Sequence, residues 1–474
     1  MQQTEAANRP HLERGLTASA AMALNIIDMV GVGPFVTLPL IVAAMGGPQA
    51  MLGWVLGAML SMCDGMVWSE LGTAYPQAGG SYAYLRHVYG PRLGRRLSFL
   101  YAWQLLFSAP LSIASGCLGC AQYLAYFAPR LLQPVVATKA LGVPVVLSGE
   151  SLLAMLLCVL AVAILYRRIQ SLDKLLRGLG LAVLGALLWI IVTGFTHFHP
   201  QLAFSFPAGA FRLQPTFFSG LASGMLLSVY DYWGYYNVCF LGAEVKHPRT
   251  TIPRAVLGSI AIVGLLYLLM SISVLGVLPW QSLASSSAAA RSYVMAAMMQ
   301  QVYGGRAAAV MVVLVALAAS ASVLALLLGY SRIPYAAASD DNFPRVFARL
   351  HPRHHMPHVA LLTLAGMTLV CCLFRLQQVI TTLVVVRILF QFLLQGVAVL
   401  LPQHRRARRT QSFRMPLYPL PALLALGGFV FILLHRPHIL RELQIAGVIL
   451  LAGLLVDGLR PRSAPGARAD RTPH

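Results

Sequence analysis

Apolar residues fall along this chain in long unbroken runs rather than in short alternations. About twelve stretches of roughly 17 to 30 residues can be drawn, each near or above the ~20 residues a helix needs to cross ~30 Å of hydrocarbon. They predict spans at about 16–44, 49–73, 98–127, 151–166, 174–195, 215–243, 252–278, 307–338, 359–374, 378–401, 417–434 and 439–459. Between the second and third, PQAGGSYAYLRHVYGPRLGRR has the makeup of a short amphipathic element lying against the bundle. The Pro-, Phe- and His-rich stretch 196–214 suits an external loop, and 279–305 has room for a short helix. The expected class is therefore all-α, a polytopic membrane protein of about twelve transmembrane helices.

Two runs are interrupted. NIIDMVGVGPFVTLP, from Asn25 to Pro39, sets Gly31, Val32, Gly33 and Pro34 in the middle of span 1. Inside a bilayer an unwound turn is tolerated only where protein or a watery cavity surrounds it. Asp28 lies beside the break, and a carboxylate near the bilayer centre costs ~2.5–3.5 kcal/mol on insertion scales. The pattern returns in span 6 as SVYDYWGYYNV, with Asp231 and Gly234. Corresponding interruptions in spans 1 and 6 predict a five-plus-five inverted repeat with two discontinuous helices. The domains expected are a tail at 1–15, one transmembrane unit at 16–459, and a tail at 460–474. Within that unit the repeats fall at about 16–196 and 215–401, with an accessory pair at 417–459.

The residue types at the breaks suggest ligand chemistry. Amides after Gly31 open a new half-helix, whose N-terminal dipole favours a carboxylate. Glycine lets a ligand approach the backbone, and Pro34 sits at a first-turn position where no N–H is needed. In the second break, Tyr230, Tyr232, Trp233, Tyr235 and Tyr236 around Asp231 and Gly234 could wall an apolar side chain or a cation. The candidate site is thus Asp28, Gly31, Val32, Gly33 and Pro34 with Tyr230, Asp231, Tyr232, Trp233 and Gly234. A kink that only shapes helix packing is the plainer alternative.

Composition sharpens this. Of 474 residues 58% are hydrophobic and 10% charged, against roughly 25% charged in a soluble domain. The net charge of +21 would suggest nucleic acid, but it follows topology instead. With a cytoplasmic N-terminus, the tails, the even-numbered loops and the span ends adjoining those loops hold 26 of the 35 Lys and Arg residues, which places both ends in the cytoplasm. Anionic lipid headgroups are the secondary partner. The seven cysteines lie mostly in apolar runs, so no disulfide framework is expected. Cys117 and Cys120 read as small packing residues. His351, His354, His355 and His358 read as a solvated loop rather than a metal site. No zinc-protease, nucleophile-elbow or phosphate-loop motif appears, so neither enzyme chemistry, cofactor nor metal is expected.

Arg387 stands within a span, where it needs a carboxylate partner or a watery face. Asp231 or Asp64 could supply the carboxylate, as a static ion pair or as a proton-coupling element. Glu70 and Glu244, near the ends of spans 2 and 6, are expected to pair with loop arginines as gates.

DMVGVGPFVTLPL, MGGPQAMLGWVLGAMLSMCDGMVWSELGTAYPQAGGSYAYL, SVYDYWGYYNVCFLGAEVKHPRTTIPRAV and GYSRIPYAAASDDNFPRVFARLHPRHHMPHVAL resemble the amino acid, polyamine and organocation permease superfamily. The likeness runs from about Leu12 to Leu401, and GAEVKHPRTTIPRA is its most specific part. It implies a LeuT-like fold with substrate held at the two breaks, often with proton coupling or exchange. Val32 departs from the small polar residue common between the glycines. Lys174 or Arg177 in span 5 falls where sodium sits in sodium-coupled relatives, and both could equally be cytoplasmic anchors. The expected function is secondary active transport of an amino acid or related amine in the plasma membrane. A proton-linked polyamine permease, or a transport-like membrane sensor, is the alternative.

Overall fold

The computed structural model describes residues 14–140, 143–166, 169–285, 293–407, 413–436 and 439–459. Among these, seven helices are long and apolar enough to cross a membrane, and the bent pair Ala18–Met29 and Gly33–Met45 makes an eighth. Three shorter apolar helices, Gly149–Leu165, His358–Cys371 and Leu420–Leu434, stand where spans 4, 9 and 11 are expected. Span 6 begins as the helix Pro215–Tyr232. The molecule is a multi-pass, all-α membrane protein.

Position in the bundle follows from which faces the sequence can expose. Spans 3 (Arg95–Leu124) and 8 (Gly305–Tyr330) lie in windows 72% buried, whereas the window of span 12 is 12% buried. The first two are central pillars, and the last is a peripheral strut. On the outer spans the exposed residues are apolar and helically spaced: Leu152, Leu156, Val159 and Leu160 on span 4, and Leu181, Leu188 and Val192 on span 5. Such stripes suit a lipid-facing surface.

The element between spans 2 and 3 forms the helix Ser81–Val88, here called the linker helix. One side of it packs into the bundle, with Ser81, Tyr82, Tyr84, Leu85 and Val88 buried, while His87 is exposed. The region 279–305 carries the helices Trp280–Ser285 and Val294–Tyr303. An antiparallel hairpin, Pro134–Ala140 with Val143–Ser148, is an addition to the helical plan. It leans on the turn after span 9, where Val146 N–H donates to Leu373 O at 2.9 Å.

Both interruptions are present. Span 1 ends at Met29, resumes at Gly33 and bends by 45°. Span 6 ends at Tyr232, passes through extended Trp233 and Gly234 at φ 123°, and resumes briefly at Asn237–Phe240. Span 10 also departs from regular helix, with a π turn at Ile388–Phe392 directly after Arg387.

Candidate functional site

The two broken segments touch. A Cβ on Gly234 would stand 2.7 Å from Met29 N and 2.8 Å from Asp28 C. Glycine is therefore required there twice over, by its positive φ and by the backbone of span 1 against it. A Cβ on Gly33 would likewise collide with Asp231 Oδ1 and lie 3.2 Å from Asp231 Cγ.

Side chains take up the backbone groups that unwinding releases. Asn25 Nδ2 donates to Tyr235 O at 2.5 Å, and its Oδ1 accepts from Val238 N–H at 3.0 Å. Tyr267 hydroxyl donates to Met29 O at 2.7 Å and reaches Asp231 O at 3.3 Å. Ser322 hydroxyl donates to Asp28 O at 3.3 Å. These contacts satisfy carbonyls that would otherwise be orphaned in a buried place, so the break is held in shape.

The two carboxylates are treated differently. Asp28 Oδ2 accepts from Asn237 Nδ2 at 2.7 Å. Asp231 Oδ2 accepts from the Thr37 hydroxyl, while Asp231 Oδ1, beside Gly33, has no hydrogen-bond partner among the described residues. Between the segments lies a cavity of about 40 Å³, room for roughly three waters at 10–15 Å³ each. Asp28, Gly31, Val32 and Gly33 line it from span 1, and Tyr230, Asp231, Trp233 and Gly234 from span 6. The start of the helix Gly33–Met45, with Pro34 in its first turn, brings the positive end of its dipole to this cavity.

Tyr232 is placed elsewhere. Its hydroxyl donates to Trp54 O at 3.3 Å, and its ring packs on Trp54 and Tyr267, so it belongs to the packing against spans 2 and 7. The lining also includes residues the sequence analysis passed over: Ser112 and Ser115 of span 3, and Ser322 and Tyr330 of span 8. Asn237 lies within the quoted YDYWGYYNV stretch and was legible as a polar residue near the break. Asn25 opens the first stretch.

The expected ion pair between Arg387 and Asp231 or Asp64 is not formed. Arg387 Nη1 donates to the hydroxyls of Tyr236, at 3.1 Å, and Tyr330. The guanidinium carbon lies 4.6 Å from the Tyr330 ring centroid and 5.6 Å from that of Trp233. Aromatic faces and phenol oxygens thus hold this buried charge, immediately behind the cavity wall. Asp64 instead accepts from Tyr235 hydroxyl at 2.6 Å.

Glu244 does pair with an arginine, though a buried one rather than a loop residue. Arg332 Nε and Nη2 reach its two oxygens at 2.9 and 3.2 Å, with both side chains no more than 3% exposed. Glu244 O also accepts from Gly15 and Leu16 N–H at 3.0 and 2.9 Å. The pair therefore ties together the start of span 1 and the ends of spans 6 and 8. Glu70 meets His404 Nε2 at 3.0 Å and Met415 N–H at 2.7 Å, which fastens the segment after span 10 to span 2. Lys174 and Arg177 fall in the helix Ile169–Thr196, but their side chains lie outside the described residues. Among the described residues no cluster of His, Cys, Asp or Glu is arranged to hold a metal, and the seven cysteines are free thiols.

A family model described as amino acid permease matches residues 15–447. The chain belongs to the amino acid permease family. The permease is 26% identical over 438 residues to the branched-chain amino acid permease BcaP of Lactococcus lactis subsp. cremoris, covering 89% of this chain and 90% of that protein. It is 24% identical over 461 residues to the serine/threonine exchanger SteT of Bacillus subtilis, covering 94% and 96%. To cationic amino acid transporter 4 of Mus musculus it is 27% identical over 364 residues, covering 76% of this chain and 55% of the relative.

Proposed function

We propose that the permease carries an amino acid across the plasma membrane by alternating access, with both termini in the cytoplasm and spans 1–5 and 6–10 as inverted repeats. The observation that carries this reading is the contact of the two breaks around one cavity, where a helix start faces a half-free carboxylate. The substrate carboxylate binds the amides at Gly31 to Gly33, for which the helix dipole is suited. The substrate amine binds Asp231 Oδ1 and the carbonyls freed near Tyr230 to Gly234. Trp233 and Tyr230 bound the side-chain space.

At about 40 Å³ the cavity holds only a few waters, so loading requires the walls to move apart. The breaks and the Glu244–Arg332 tie are the elements positioned to move. Asp231, whose charge is free to be met by an amine or a proton, is the coupling group in this scheme. Uptake into proteoliposomes, competing branched-chain, hydroxylated and basic amino acids against putrescine, tests it. Saturable uptake of an amino acid supports the proposal; transport of putrescine alone would overturn it in favour of a polyamine permease.

A further inference from the structure

Spans 3 and 10 pack against one another, and each turns a polar stripe inward. On span 3, Tyr101, Gln104, Ser108, Ser112 and Ser115 recur at three- and four-residue spacing, which places them on one helix face. On span 10, Arg387, Gln391 and Gln395 follow one another a turn apart, across the π turn at Ile388–Phe392. Tyr101, Gln104, Ser108, Arg387, Gln391 and Gln395 are each no more than 1% exposed.

Many of their polar atoms have no protein partner among the described residues. These are Gln104 Nε2 and Oε1, Ser108 Oγ, Gln391 Nε2 and Oε1, Gln395 Nε2, and Arg387 Nε and Nη2. Buried amides and guanidinium nitrogens are satisfied by protein or by ordered water, and a cluster of them marks a place for water. A π turn inside such a stripe is a frequent companion of function.

The stripes have two ends. At one, Ser112 and Ser115 line the central cavity, and Tyr330, which also lines it, bonds Arg387. At the other, Tyr101 stands beside Ser81 of the linker helix, and Ser81 hydroxyl donates to Gln395 Oε1 at 2.6 Å. The next residue, Tyr82, donates to Asp340 at 3.2 Å, on the rim of an open depression of about 480 Å³ shared with Arg86 and His87.

We propose that the facing stripes of spans 3 and 10 hold a file of water that joins the central cavity to the linker-helix face. The file carries protons, while the amino acid passes between the broken segments. Its walls are lined by amides, hydroxyls and one guanidinium, groups that order water without binding an organic ligand's apolar part. Each water in the file accepts a proton from one neighbour and releases one to the next, so an O–H bond forms for every one that breaks and the net result is one proton moved from end to end. The Arg387 charge at the cavity end opposes a hydronium there and raises the barrier at that point, so the cavity end is the slow step of the file.

The test uses the full chain, purified, with Ser108→Cys, a near-isosteric change outside the cavity lining, and Ala109→Cys as the control on a different face of span 3. A small water-soluble methanethiosulfonate is applied, and modification at each site is read by peptide mass spectrometry. A thiol reacts as thiolate and needs water, so Ser108→Cys is expected to react at least about tenfold faster than the buried Ala109→Cys. Equal rates, or no reaction at Ser108→Cys, would overturn the water file. Gln104→Leu with Gln391→Leu, in proteoliposomes carrying a pH dye, then reads proton movement, and equilibrium amino acid binding reads the substrate site separately. Slowed proton uptake with unchanged binding supports the route. Unchanged proton uptake with confirmed labelling would overturn its role for protons, and lost binding would show that the seam shapes the substrate site instead.

Discussion

Gly33→Ala is the smallest change that should disable the site. The added Cβ would collide with Asp231 Oδ1 and lie 3.2 Å from Asp231 Cγ and 3.6 Å from Tyr230 Cε1. Span 1 is held in place by Asn25, Tyr267 and Tyr123, the last donating to Phe35 O at 3.1 Å, so the carboxylate must give way. Rotating it breaks the bond from Thr37 and removes Oδ1 from the cavity. A hydrogen bond to a charged group is worth ~1.5–3 kcal/mol, which corresponds to a roughly 10- to 150-fold weaker Kd. Equilibrium binding of the transported amino acid to purified protein measures the loss, with gel filtration reporting on folding. Gly185→Ala, whose Cβ meets nothing within 4 Å, is the control and should bind normally. Normal binding by Gly33→Ala would refute the claim that Asp231 and the start of the helix Gly33–Met45 form the substrate site.

Other outcomes follow from the same contacts. Glu244→Gln leaves Arg332 buried and half-paired, so thermal unfolding in detergent should show a loss of ~3–5 kcal/mol, and no change would mean that the pair does not tie the spans. Tyr267→Phe removes a donor shared by Met29 O and Asp231 O and should cost ~1 kcal/mol in stability while slowing uptake; uptake at the normal rate would show that the breaks are held without it. Asp231→Asn should remove the stimulation of uptake by external acid, measured as initial rate against pH, and an unaltered profile would exclude Asp231 from coupling.

The breaks were legible because glycine, proline and an acid inside an apolar run conflict with a continuous lipid-facing helix. Which way each side chain points was not. Five aromatic residues crowd 230–236. Tyr230 and Tyr232, two apart in the last turn of the helix Pro215–Tyr232, necessarily point to nearly opposite sides. That Tyr230 is the one facing the cavity and Tyr232 the one facing span 2 depends on how the helix is rotated in the bundle, which local spacing does not hold. Arg387 misled for a related reason: a buried guanidinium was matched to the carboxylates in the sequence, whereas tyrosines from spans 6 and 8 and the Trp233 face hold it. The hairpin was written in β-branched runs, PVVATKA and VPVVLS, that stand out less beside spans several times their length. Ser112, Ser115 and Ser322 are small residues in apolar helices, indistinguishable in sequence from packing positions until a cavity lies against them.

A structure with the transported amino acid bound tests the central claim most directly. The amino acid's carboxylate should lie within hydrogen-bond distance of the amides at Gly31 to Gly33 and its amine on Asp231 Oδ1 or the carbonyls at Tyr230 to Gly234. A ligand seated away from both breaks, with Asp231 Oδ1 still unpaired, would contradict it.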